Sequence, residues 1–201
     1  MNCPFDAEYA PLLEAMLFTI VSIGLTPRLA NERLENGENR FSKIVGLARA
    51  SKFSVHDLSR SKARVIGEDV RMNMPFELGV DFGIRLCSND LPSEKKFLIF
   101  ERDPYDLKRA LSDINGQDVE AHRNDYQNVI KKVRDFFRVE GQMDIAGAMR
   151  LKSDYETFQG WLLELKLSEG HSQSDALSLP TAERLDAMKH WIDIGKPLEI
   201  R

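Results

Sequence analysis

Residues 53–83 constrain the fold of this chain more than any other stretch, because they combine features of a strand, a long loop and a helix. Residues 53–57 carry apolar side chains at alternate positions and end in His56-Asp57, which predicts a short buried strand. Pro75 and Glu77 suit the first turn of a helix, so we predict a helix over residues 75–87. The polar connection between them is longer than a plain turn needs. This arrangement is typical of α/β proteins.

The remaining pattern extends the same architecture. The continuous apolar run at residues 96–100 predicts a strand that is buried on both faces. Apolar spacing elsewhere predicts a short strand at 25–29 and helices at 7–23, 41–48, 105–111 and 124–137. Strands that alternate with helices indicate a parallel sheet with helices on both faces. Such a sheet normally starts with a strand, but only Met1–Cys3 precede the first helix. Either the sheet is short there, or the written start lies inside a longer native chain.

The last sixty or so residues have a different pattern. Residues 143–151, 155–167 and 181–194 read as helices, and residues 170–180 read as a linker between two of them. We therefore divide the chain into an α/β domain, residues 1–138, and a helical extension, residues 139–201. We expect the helices of the extension to assemble the protein into a homo-oligomer.

Composition narrows the classes of partner. The formal net charge of −4 among 201 residues predicts no general attraction to nucleic acid or to anionic lipid. The longest apolar stretch, residues 16–25, is too short to cross a bilayer, and Cys3 and Cys87 lack metal-ligand spacing. We expect a cytoplasmic globular protein with no nucleic-acid or membrane partner.

Candidate site residues lie where the predicted strands end. Ligands of open parallel sheets bind beyond the carboxyl ends of the strands. Asp6 follows the first predicted strand, Asp57 ends the strand at 53–57, and Asn73 with Glu77 opens the following helix. The helix dipole favours an ionised Glu77, which could attack or stabilise an electron-poor sugar carbon. Asp57 could hold sugar hydroxyls, while Ser59 and Asn73 could supply hydrogen bonds.

Each of these residues also has a structural reading. Glu77 can be only a partner of the helix dipole, and the segment that starts at Asp57 can be only a turn or a cap. His56 alternates with Val55 and can simply face the other side of the strand.

No metal site is predicted. The loop at 112–118, with Asp113 and Asp118, resembles a calcium loop only superficially, because it lacks the required glycine and glutamate. We expect a polar turn that closes over the crevice. The other histidines, His122, His171 and His190, are too scattered along the chain to predict a metal-ligand set.

Two segments resemble a known superfamily. Residues 54–59, Ser-Val-His-Asp-Leu-Ser, and residues 73–79, Asn-Met-Pro-Phe-Glu-Leu-Gly, are similar to the motifs of nucleoside 2-deoxyribosyltransferase-like proteins, whose fold is related to the TIR domain. The chain also resembles a group of uncharacterised bacterial proteins that share these segments, Asn-Cys-Pro-Phe-Asp at 2–6 and Ser-Asp-Ile-Asn-Gly-Gln-Asp at 112–118 with His122. The resemblance covers roughly residues 2–138 and leaves the helical extension outside.

The resemblance implies a Rossmann-like (flavodoxin-like) sheet and an N-glycosidase or ribosyltransferase that acts on a nucleoside, a nucleotide or NAD. Glu77 would be the nucleophile or stabilising carboxylate, and Asp57 and Asn73 would line the ribose. Only Phe5 or Tyr9 is placed to supply the aromatic residue that often assists the sugar in the transferases. No cofactor or metal is required, although NAD is a possible substrate. A role in bacterial defence is an analogy.

Two functions therefore remain open. The first is glycosidic-bond chemistry with Glu77 and Asp57 as catalytic residues. In that hypothesis the substrate contacts are Phe5, Asp6, His56, Ser59, Asn73, Asp113 and Asp118. The second is a nucleotide-sensing or protein-interaction module that uses the same crevice only to bind. The two differ in whether Glu77 and Asp57 face one pocket that has room for a ribose.

Overall fold

A computed structural model describes residues 1–32, 37–63, 65–87 and 95–200. Within these ranges the protein is α/β, with a three-stranded parallel sheet flanked by helices. The strands are β1 (Phe53–Asp57), β2 (Lys96–Glu101) and β3 (Glu120–Ala121). The helices are α1 (Ala10–Ser22), α2 (Arg40–Ala50), α3 (Asn73–Cys87), α4 (Leu107–Ala110), α5 (Tyr126–Val139), α6 (Ala148–Ser168), α7 (Gln173–Leu177) and α8 (Thr181–Asp193).

The sheet has the order β1-β2-β3, with Phe53 opposite Lys96 and Phe100 opposite Glu120. The strands predicted at 53–57 and 96–100 are confirmed. The strand predicted at 25–29 is wrong: this segment is irregular, and Pro27 lacks the N–H that a ladder needs. Beside β1, Asn2 forms a single parallel bridge with His56. Strand β3 was not predicted from the sequence, because two residues are too few to show an alternation of apolar and polar side chains.

The alternation along β1 assigns its side chains to two faces of the sheet. Val55 packs into the larger apolar core, which also contains residues of α1, α5, α6 and α8. Leu58, just after the strand, belongs instead to a smaller cluster on the α3 side, with Leu78 and Ile99. His56 contacts α3, and Asp57 contacts the α1 side. Because successive side chains of a strand point to opposite faces, neighbouring polar residues are separated by the sheet.

The C-terminal helices pack against the α/β part. The Phe18 ring of α1 lies 5.5 Å from both Tyr155 and Phe158 of α6 and 5.8 Å from Trp191 of α8, measured between ring centroids. The two helices predicted at 143–151 and 155–167 are one continuous helix, α6, because nothing in residues 148–168 breaks the helical pattern. The predicted linker contains the short helix α7, which Ser172 opens with a capping box.

Helix α3 begins two residues before the predicted start, and its two glycines lie on the side away from its buried residues. Met74, Leu78, Asp81 and Ile84 are its buried residues. Gly79 is exposed, and a Cβ added at Gly79 or Gly83 would meet no described atom within 4 Å. Gly79 and Gly83 therefore lie on the side of α3 that faces away from the sheet.

No helix in the described part of the chain is both long and apolar enough to cross a membrane.

Candidate functional site

The carboxylate of Asp57 is fully buried at the end of β1. The Tyr9 hydroxyl of the segment before α1 donates to Asp57 Oδ2 at 2.6 Å, and the Ser59 N–H donates to Oδ1 at 2.9 Å. Burial raises the pKa of Tyr9 well above its usual value, and the neighbouring Asp57 raises it further. Tyr9 therefore keeps its proton and donates it in the hydrogen bond to the Asp57 carboxylate.

His122 completes this buried cluster. The Asn124 N–H donates to His122 Nδ1 at 2.9 Å, so a neutral ring carries its proton on Nε2. His122 Nε2 lies 3.3 Å from Asp57 Oδ2. In the sequence His122 is too far from the other histidines to predict a metal-ligand set, and only the pairing of β3 with β2 brings it beside Asp57, 65 positions earlier. The three side chains Tyr9, Asp57 and His122 fill the crevice on the α1 side of β1.

Asp6 lies in an ion-pair cluster near the surface. Its Oδ1 accepts from Arg60 Nη2 at 3.0 Å, and its Oδ2 lies 3.2 Å from Arg71 Nη2. Arg60 also contacts Glu8 at 2.8 Å. Asp6 and Phe5 line a cavity together with Thr181 and Arg184 of α8, and Glu77 does not line it. The Asp6 carboxylate, which was predicted to contact a sugar, therefore forms ion pairs with two arginines.

Glu77 lies on the α3 side of the sheet and is half-buried. Burial raises the pKa of its carboxyl group, against the opposing effects of Arg40 and of a hydrogen bond from Asn73. The cavity beside Glu77 has a volume of about 50 Å³, and Asn2 and His56 also line it. This space suits one or two water molecules and is too small for a ribose.

A buried polar chain adjoins this cavity. Asn2 Nδ2 donates to His56 Nδ1 at 3.1 Å, and His56 Nε2 donates to Asp81 Oδ2 at 3.0 Å. The ammonium of Lys95 lies 3.0 Å from Asp81 Oδ1 and caps the C-terminal end of α2 through the carbonyl oxygens of Ala48 and Ser51. His56 is therefore tied into a buried network and is not directed at an open site.

The two predicted catalytic carboxylates do not share a pocket. Asp57 contacts the α1 side of β1, whereas Glu77 lines the cavity on the α3 side together with His56. Ser59 is buried beside Asp57, and Asn73 is exposed at the start of α3 next to Glu77. The structure brings Asp57 together with Ser59, and Glu77 with Asn73 and His56, on opposite faces of the sheet.

A larger groove lies beside the carboxyl ends of β2 and β3. We call it the carboxyl-edge groove; its volume is about 540 Å³. It includes Asp118 from the predicted closing loop, but Asp113 is exposed outside it. Its polar and aromatic lining residues are Glu101, Tyr105, Lys108, Asn115, Gln117, Asp118, Glu120, Arg123, Asn128 and Lys132.

The buried carboxylate of Glu101 shapes one wall of the carboxyl-edge groove. Its two oxygens accept from the backbone N–H groups of Tyr105 at 2.8 Å and of Leu107 at 3.0 Å. Tyr105 has a φ of 70°, its ring is exposed, and the Lys108 ammonium lies 4.9 Å from the ring centroid. Glu101 thus stabilises an uncommon backbone conformation that presents an aromatic ring beside the groove.

Two further cationic groups line the groove from the end of β3 and from α5. Arg123 follows β3 with a φ of 54° and an exposed side chain. Lys132 of α5 pairs with Glu120. Arg123 and Lys108 make no described ion pair with a carboxylate, so both cations are available to an anionic ligand. Sequence reasoning missed Tyr105, Lys108 and Arg123, since no motif marks them and their backbone conformations depend on the fold.

No cluster of three or more potential metal-ligating side chains exists among the residues that the structure describes. Comparison of the chain with protein-family models, with curated proteins and with solved structures gives no match.

Proposed function

We propose that this protein is a nucleotide-binding module whose ligand lies in the carboxyl-edge groove. The observation that carries the proposal is the groove itself. It is large enough for a nucleoside or nucleotide and lies beside the carboxyl ends of two parallel strands. It is lined by an exposed aromatic ring, by three cationic side chains and by three carboxylates. The proposed ligand position therefore differs from the one predicted from the sequence. The space beside Asp57 is filled by side chains, whereas the carboxyl-edge groove is open.

The residues of the carboxyl-edge groove suit the parts of a nucleotide. The ring of Tyr105 offers a flat surface for a base, and stacking of this kind tolerates any base. Arg123 can pair with phosphate oxygens in the bidentate manner that guanidinium groups allow, and Lys108 adds a second positive charge. Asn115 and Gln117 supply amide groups for the edge of a base or for ribose hydroxyls.

Glycosidic-bond cleavage by Glu77 is the second candidate. It is supported by the resemblance to the nucleoside 2-deoxyribosyltransferase-like proteins and by the half-buried position of Glu77 beside Asn73. The small cavity and the separation of Glu77 from Asp57 by the sheet favour the binding module over the enzyme. The substrate would be a nucleoside, a nucleotide or NAD in either case.

The proposal also covers the fold type, the division of the chain and the location of the protein. We propose a Rossmann-like (flavodoxin-like) domain over residues 1–138, a helical extension over residues 139–201 and a cytoplasmic location. A role in bacterial defence stays an analogy based on the resemblance.

The proposal is tested by titration calorimetry of the full chain with nucleosides, nucleoside mono- and triphosphates and NAD. We expect at least one phosphorylated ligand to bind, and Arg123→Ala to weaken that binding by roughly tenfold to a hundredfold, because it removes a charge-assisted contact. Tyr105→Ala should weaken the binding of nucleotides and of nucleosides to the same extent, because both would stack a base on the ring. Lys131→Ala is the matched control, since Lys131 is exposed on α5 outside the groove.

Chromatography of the same mixtures separates the two candidates. Intact ligand after incubation supports a binding module. A free base that wild type releases and Glu77→Gln does not would instead establish the enzyme. Binding that Arg123→Ala and Tyr105→Ala leave unchanged, or no binding by any of the ligands, would exclude the carboxyl-edge groove.

A further inference from the structure

The solvent face of α3 carries an unusual row of apolar residues. We call it the α3 seam; its members are Met72, Phe76, Gly79, Gly83 and Leu86. Met72 precedes the helix in helical register, because the Phe76 N–H donates to its carbonyl oxygen at 3.2 Å. The spacing of four, three, four and three residues is that of a helix face that packs against another helix.

The large side chains of the α3 seam are exposed. Met72 is 63% exposed, Phe76 59% and Leu86 80%, and Phe41 of α2 extends the surface with its ring centroid 5.7 Å from that of Phe76. Together these four side chains expose on the order of 500 Å² of apolar surface. A stable dimer buries about 800 Å² on each partner, so this surface is sufficient for the apolar centre of such an interface.

Four of the five members of the α3 seam are placed symmetrically about one point. The midpoint between Phe76 and Leu86 is also the midpoint between Gly79 and Gly83. If two copies of α3 cross antiparallel about a twofold axis at this midpoint, Phe76 of one copy faces the partner's Leu86, and Gly79 faces the partner's Gly83. An isologous interface needs this self-complementarity, whereas a different partner protein does not.

The glycines suit the centre of the crossing. A Cβ at either position would meet no described atom within 4 Å, so the absent side chains leave a shallow notch between the two large apolar ends. Without side chains at the centre, two helix backbones can approach closely while the large residues at each end interlock. No charged side chain belongs to the α3 seam, so a second copy brings no like charges together along it.

We propose that the protein forms a homodimer through antiparallel contact of its α3 seams. This inference goes beyond the proposed function and does not depend on it. It also places the oligomer interface on α3 rather than on the C-terminal helices, whose large residues Trp161, Met188 and Trp191 are already buried in the core of one chain.

Sedimentation velocity of the full chain over a wide concentration range tests the proposal. We expect a concentration-dependent dimer, and the double variant Phe76→Glu/Leu86→Glu should be monomeric with an unchanged circular dichroism spectrum. Met149→Glu is the matched control, because it places the same charge on an exposed apolar residue of α6 and should leave the dimer intact. A wild-type chain that stays monomeric, a dimer that survives the double variant, or a dimer that Met149→Glu dissociates would overturn the proposal.

A second variant guards against misfolding of the first. Gly79→Leu should leave the monomer folded, since open space surrounds that position, yet it should weaken dimerisation at least about tenfold by filling the centre of the crossing. Dimerisation at the wild-type affinity in a folded Gly79→Leu variant would contradict the proposed contact.

Disulfide trapping tests the antiparallel register. Cys87 is exposed and is first replaced by serine, whereas Cys3 is buried. On the Cys87→Ser background, a mixture of Phe76→Cys and Leu86→Cys chains should form a cross-linked dimer more rapidly than either variant alone. Faster cross-linking of Phe76→Cys with itself would indicate a parallel crossing and reject the proposed register.

Discussion

At the scale of single residues, the end of β1 carries buried polar side chains that form hydrogen bonds on both faces of the sheet. Asp57 accepts from Tyr9 and Ser59 on one face of the sheet, while His56 donates to Asp81 on the other. Buried polar groups are costly unless they are hydrogen-bonded, so these contacts stabilise the fold whatever the ligand. These contacts also explain why His56 and Asp57, whose side chains could act in catalysis, do not form one catalytic site.

His56 makes the stability of the protein depend on pH. Burial lowers the pKa of its imidazole from 6.5, although the carboxylate of Asp81 opposes the shift. The unfolded chain therefore binds a proton more readily than the folded one. This contribution to stability is complete above pH 6.5 and is lost as the pH falls from there through the folded-state pKa.

Urea unfolding at about pH 7.5 and about pH 5.5 measures this effect. We expect the free energy of unfolding of the wild type to fall more between these values than that of His56→Gln, which cannot titrate. Equal losses in both proteins would show that His56 does not carry the dependence.

At the scale of secondary structure, two glycines in the C-terminal half should respond oppositely to alanine. Gly160 lies in the middle of α6, and an added Cβ would meet no described atom within 4 Å. Gly160→Ala should therefore raise the free energy of unfolding by roughly 1 kcal/mol, the difference in helix propensity. A Cβ at Gly141 would lie 2.6 Å from the Phe137 carbonyl oxygen, so Gly141→Ala should lower it.

Chemical denaturation of both variants beside wild type provides the measurement, and each variant serves as the control for the other. A destabilised Gly160→Ala would mean that α6 is not packed as described at that position.

At the scale of the whole molecule, one apolar core joins the α/β part to the C-terminal helices. Phe18 lies at its centre and contacts rings of both α6 and α8. A chain that ends at Glu140 would expose this surface to water. We expect it to aggregate or to lose cooperative thermal unfolding, because the burial of large aromatic side chains supplies much of the stability of a domain.

Scanning calorimetry and light scattering of the shortened chain, beside the full chain as control, test this expectation. A soluble fragment with a cooperative transition would instead support residues 139–201 as a separate extension.

Much of the local structure could be predicted from residue patterns. Periodicity of two located β1 and the apolar run located β2, because burial of one or both faces leaves a direct trace in the order of residues. Periodicity of 3.6 located α1, α2 and α5 for the same reason, whereas Pro75 and Glu77, which suit a first helical turn, located α3. Periodicity did not locate β3, because two residues are too few to show a period. It also predicted two helices where the structure has the single helix α6.

The candidate site shows the limit of that reasoning. Residue type and position singled out Asp57 at a strand end and Glu77 at a helix start, but they did not show which face of the sheet each one occupies. They also did not reveal His122, Tyr105 or Arg123, because contacts between distant segments and left-handed backbone conformations leave no local pattern.

Local residue patterns were enough to locate β1, β2 and the longer helices, since local propensity and the period of apolar residues act within a few positions of the chain. Long-range packing fixed which polar side chains meet, where the carboxyl-edge groove lies and that Gly79 of α3 faces solvent. These features depend on how elements that are far apart in the chain pack around shared cores, and packing is a property of the whole molecule.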